Sequence, residues 1–100
     1  MVVIVTQNVA DRFRGFLASC MLEIAPGVYT APYMTKGVRD RVWTVVSGWF
    51  EETGGSSVVM TWKDGTQPGG QGIQTLGCPP KTMVELDGIP LVKKEINAVK

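Results

Sequence analysis

The chain opens on an uninterrupted β-branched run, Val2-Val3-Ile4-Val5-Thr6, and then switches to apolar residues spaced by three and four. A run with no polar alternation predicts a strand covered on both faces or packed at the centre of a sheet. The spacing after it puts Val9, Phe13, Phe16, Leu17, Cys20, Met21 and Ile24 on one helical face, closed by Pro26-Gly27. Asn8 reads as the N-cap of this helix, with Asp11 three residues on favouring the positive end of its dipole. Val28-Tyr29-Thr30-Ala31 reads as a second strand, ended by Pro32. Thr35 can then cap a second helix with the stripe Val38, Val42, Val45, Val46, Trp49 and Phe50. Trp43 lies beside that stripe, and Thr53-Gly54-Gly55 ends the helix.

Two further strands, Ser57 to Lys63 and Ile73 to Gly77, flank a Gly- and Pro-rich stretch from Asp64 to Gly72, expected to be a mobile loop. After the Pro79-Pro80 break, Val84 to Leu86 and Ile89 to Val92 surround Asp87-Gly88, a strong hairpin-turn dipeptide, and Pro90 suits an edge strand. This order predicts an α+β sandwich of ferredoxin-like type, with two helices on one face of an antiparallel sheet and a C-terminal strand pair added. Residues 1–83 would form the core domain. Residues 84–100 would be a hairpin and tail with little apolar mass of their own, expected to dock on a partner chain.

Composition narrows the chemistry. One hundred residues, 44% of them apolar, allow one compact core, and a domain this small is expected to share its large interfaces with another chain. A formal net charge of +1 excludes binding to polyanions by bulk charge, so local patches decide. The first half is the more basic, with Arg12, Arg14, Lys36, Arg39 and Arg41 against Asp11, Glu23 and Asp40; the second half carries five bases against six acids. The absence of histidine removes His general bases, His-dependent triads and His metal ligands. Cys20 and Cys78 stand far apart with no C-x-x-C pair, so both are read as reduced thiols in a cytoplasmic protein. No apolar segment reaches the length of a membrane span.

Two basic groups could meet an anion. Arg12 and Arg14, about 200° apart at ~100° per residue, straddle Phe13 and can snorkel from the flanks of the buried face. They could clamp phosphate, or simply be solvated. Lys36 with Arg39 shares a helix face at the start of the second helix, beside Arg41, where cations oppose the macrodipole; a solvated face is the plainer reading. Glu51-Glu52, Glu85 with Asp87, and Asp11 among its arginines do not make a convincing carboxylate site for metal-dependent hydrolysis. Trp43, Trp49 and Trp62 could stack on bases, but their apolar settings favour the core. The glycines of the 65–72 stretch lack the G-x-x-x-x-G-K-[ST] pattern of a phosphate-binding loop.

Taken in order, VVIVTQNV at 2–9, RFRGFLA at 12–18, GVY at 27–29, VVMTW at 58–62, QTLG at 74–77 and LDGIPLV at 86–92 resemble the CRISPR-associated small adaptation proteins, the Cas-two family, in their type I-E branch. The resemblance implies a ferredoxin-like homodimer between two dimers of the Cas-one integrase subunit, with a duplex protospacer DNA laid across it. The partner would carry the metal-dependent transesterification. Positions that meet backbone phosphates in the family match Arg12, Arg14, Lys36 and Lys81, all basic here. The family's contact to the integrase subunit matches the C-terminal pair, with Val84, Leu86, Ile89, Leu91 and Val92 as its apolar residues. Family members described as nucleases carry an acid at the end of the first strand, where this chain has Gln7. A neutral amide can neither take a proton nor hold a metal with charge. The resemblance therefore implies a holding subunit with no catalytic residue and no required cofactor. The alternative is a metal-dependent endoribonuclease or endonuclease, and only there would magnesium enter.

Overall fold

The structure, a computed structural model, describes residues 1–77 together with the backbone of the strands at Thr82–Leu86 and Ile89–Lys93. Strand β1 (Val2–Gln7) leads into helix α1 (Asp11–Cys20). A hairpin of β2 (Leu22–Ala25) and β3 (Val28–Ala31) follows, then helix α2 (Lys36–Thr53), β4 (Ser57–Lys63) and β5 (Gln71–Gly77). Strands β6 (Thr82–Leu86) and β7 (Ile89–Lys93) pair with each other as a separate antiparallel sheet, Leu86 opposite Ile89.

The main sheet runs β2-β3-β1-β4-β5, with every neighbouring pair antiparallel. Its first four strands have the ferredoxin-like order, and β5 extends it. As the sequence predicts, β1 is the middle strand. Val2 faces Ala31 on one side and Trp62 on the other, and Ile4 faces Tyr29 and Met60. These residues point to the face that receives Phe13 and Leu17 of α1 and Val42 and Val46 of α2. Ile4, Phe13, Leu17, Val46, Val58 and Met60 are wholly buried there. Each such side chain taken from water contributes roughly 1.5–3 kcal/mol, which makes this layer the main source of stability.

The first helix is shorter than its apolar spacing predicts. It ends at Cys20, which is exposed, and Leu22–Ala25 turns back as an edge strand instead of continuing the helix. Met21 is buried, but Leu22 and Ile24 are exposed. The missing strand completes the split β-α-β pattern. Asn8 is not the N-cap: it sits in the left-handed region at φ 53°, a conformation asparagine tolerates, and Ala10 takes the cap position without a side-chain bond. Its amide instead donates to Ser56 Oγ at 3.3 Å, tying the end of β1 to the start of β4. Thr35 does cap α2, accepting from the Val38 N–H at 3.2 Å, while Val38 itself is exposed.

The Asp64 to Gly72 stretch is organised rather than loose. Asp64 N–H donates to Gly70 O at 2.8 Å, a short 3-10 turn spans Pro68–Gly70, and β5 begins two residues earlier than expected. The unbroken β-branched run of β1 is also not covered on both faces, since Val5 is exposed and Val3 half-buried.

Candidate nucleic-acid interface

Arg12 stands in the first turn of α1. Its guanidinium lies over the Trp49 ring at 4.8 Å and donates to Glu52 Oε1 at 3.1 Å. Trp49 in turn meets Phe13 and Phe16 edge-on, at 5.7 and 5.3 Å between centroids. Arg12 therefore rests on the seam between the two helices. Trp43, Trp49 and Trp62 all pack against the core, as their apolar settings predict.

Arg14 leaves the other flank of α1. Its Nε donates to Glu23 Oε1 on β2 at 3.2 Å, and Glu23 also accepts from the Gly27 N–H at 3.2 Å. That backbone bond, aided by the Arg14 charge, holds the Glu23 carboxyl below its ordinary value of 4.5. Burial pushes the neighbouring Tyr29 phenol up, and the Glu23 charge adds to it. The pair borders a recess of about 390 Å³ beside Thr6, Asn8 and Asp11. Asp11 is not the acid that pairs with either arginine. The two guanidiniums thus sit on opposite sides of Phe13 as separate contact points, one toward α2 and one toward β2.

Lys36, the first residue of α2, donates to Asp40 Oδ2 at 2.8 Å and holds that carboxyl below its usual range. Arg39 does not join it, lying instead over the Trp62 ring at 4.2 Å. Lys81 lies outside the described residues. So do the side chains of Val84, Leu86, Ile89, Leu91 and Val92, whose backbone belongs to β6 and β7.

Gln7 closes β1 opposite Ser57, whose hydroxyl donates to Gln7 Oε1 at 3.3 Å. Its amide is engaged in holding β1 to β4. Among the described residues no group of three or more His, Cys, Asp or Glu side chains could hold a metal ion. The sequence weighs Glu52 only as half of a carboxylate pair and Glu23 only in the charge balance; their pairing with Arg12 and Arg14 comes from the fold. Glu23 carried a possible signal, an acid four residues before a turn glycine.

The sheet face away from the helices completes the surface. The register lines up Ile73, Thr61, Val3, Thr30 and Leu22 in one row, and Thr75, Val59, Val5, Val28 and Ala25 in the next. Neither row contains a charge.

Fold and surface together define a small two-layer α+β protein with arginines and a lysine on its helices and a second sheet face whose two middle rows carry no charge. The model of the family described as CRISPR-associated protein (Cas_Cas2CT1978) matches residues 1–91, and the chain belongs to that family. Among the described residues no helix is long and apolar enough to cross a membrane.

Proposed function

We propose that the chain is a spacer-acquisition subunit of the type I-E kind, whose homodimer forms the DNA-holding core between dimers of the Cas-one integrase subunit. The observation that carries this reading is the exposure of the bases the family resemblance marks. The side chains of Arg12, Arg14 and Lys36 are 40%, 72% and 79% exposed, and each is engaged by one carboxylate. Surface ion pairs of this kind are worth little net, so a phosphate oxygen can replace the carboxylate at small cost. Such contacts carry no sequence information; binding is sequence-independent and falls steeply with salt.

Lys81 is the fourth phosphate contact in this reading. Residues 1–83 serve as core and 84–100 as the docking hairpin that presents Val84, Leu86, Ile89, Leu91 and Val92 to the integrase subunit. The uncharged rows on the open sheet face support a second copy of the chain as the occupant of that face. Gln7 argues against strand cleavage by the chain itself, since an amide bonded to Ser57 supplies neither general base nor charged metal ligand. The test is an anisotropy titration of a labelled duplex at several salt concentrations. Arg12→Ala with Arg14→Ala should weaken binding and flatten the salt slope; binding unchanged in the folded double variant refutes the assignment.

A further inference from the structure

Among the described arginines, Arg39 is neither ion-paired nor free in solvent. Its guanidinium carbon stands 4.2 Å from the Trp62 centroid. The indole is itself fixed, its N–H directed to Asp64 Oδ2 at 3.4 Å and its ring against the backbone of Gly72, where a Cβ would come within 2.2 Å of it. Two carboxylates feel the Arg39 charge, Asp40 and Asp64, yet both are bonded elsewhere. Asp40 accepts from Lys36 at 2.8 Å, and Asp64 from the Thr66 N–H and hydroxyl at 2.9 and 2.6 Å. Arg39 Nε is enclosed without a hydrogen-bond partner.

A stranded buried donor and a cation in the first turn of a helix both work against the fold. The stack on Trp62 offsets part of this, but a plain apolar side chain would cover the ring without either cost. What an arginine adds is a planar cation already fixed in place, with little rotamer freedom left to lose on binding. We propose that Arg39 is a phosphate-binding residue, taking a DNA backbone phosphate end-on through its two terminal nitrogens. This rests on the reading of the chain as a duplex-holding subunit. Arg12, Arg14 and Lys36 each already donate to a carboxylate; Arg39 donates to none.

The experiment uses the full chain and a labelled duplex, titrated across salt for the wild type, Arg39→Met, and the Arg12→Ala, Arg14→Ala double variant. Methionine keeps apolar cover on Trp62 and removes the charge. Arg39→Met should bind a few-fold or more weaker on every duplex sequence, with a salt slope shallower by about one per chain. Affinity and slope equal to the wild type, in a variant whose circular dichroism shows it folded, overturn the proposal. If only the double variant weakens, the Arg39 assignment fails and the duplex-holding reading stands. A wild type that does not bind duplex overturns both. Should Arg39→Met not fold, phenylglyoxal labelling of the wild type decides. Protection of Arg39 by duplex supports the proposal, and equal modification with and without duplex overturns it.

Discussion

Glu23 joins three parts of the chain: it lies on β2, accepts from Arg14 on α1 and closes the β2–β3 turn by accepting from the Gly27 N–H. Gly27 has to be glycine, since its φ is 78° and a Cβ would lie 2.6 Å from Thr6 O. Because the folded carboxyl titrates below its ordinary value of 4.5, Glu23 contributes stability above that value, and the contribution is lost as pH falls through the depressed folded value. Glu23→Gln should therefore lower the melting temperature at neutral pH and lose most of that effect in acid, where the wild-type carboxyl is protonated too. Thermal unfolding of both proteins across pH checks this. An equal difference at neutral and acid pH would show that the carboxylate charge is not what matters.

Among the elements, β4 and β5 depend on a close approach that no other residue type permits. Gly72 lies opposite Trp62, and the indole occupies the space a side chain would need. Gly72→Ala should cost about 1–3 kcal/mol by overpacking, which for a domain of this size lowers the midpoint by roughly 4–8 °C per kcal/mol. A melting curve unchanged from the wild type would mean that the indole shifts freely. Most elements were legible in the sequence because their burial is periodic: β4 and the end of α2 fall where the pattern puts them. Strand β2 was not. It has four residues, leaves Leu22 and Ile24 exposed, and continues the three-residue spacing of α1, so nothing local marks the switch. The bases of the interface were legible as residues, but their partners were not. Glu52 lies forty positions from Arg12, and only the packing of α1 on α2 brings them together. Arg14, on the opposite flank of α1, meets Glu23 of β2 instead, the strand that the sequence did not reveal.

For the whole molecule, the uncharged rows around Val3 and Val5 explain why β1 reads as a doubly covered strand although one of its faces is open within the single chain. A second copy on that face would supply the cover. Val5→Glu should turn a dimer into a monomer in sedimentation velocity, since each copy would bring a carboxylate to the interface. A dimer of undiminished affinity would place the contact elsewhere. The central claim is that this chain holds duplex DNA without cutting it. The most direct test incubates the purified protein with an end-labelled duplex in magnesium across a salt series, measuring binding and strand length in the same samples. The account predicts salt-sensitive binding with every strand recovered at full length. Magnesium-dependent shortening of the duplex by the chain alone, or binding indifferent to salt, would contradict it.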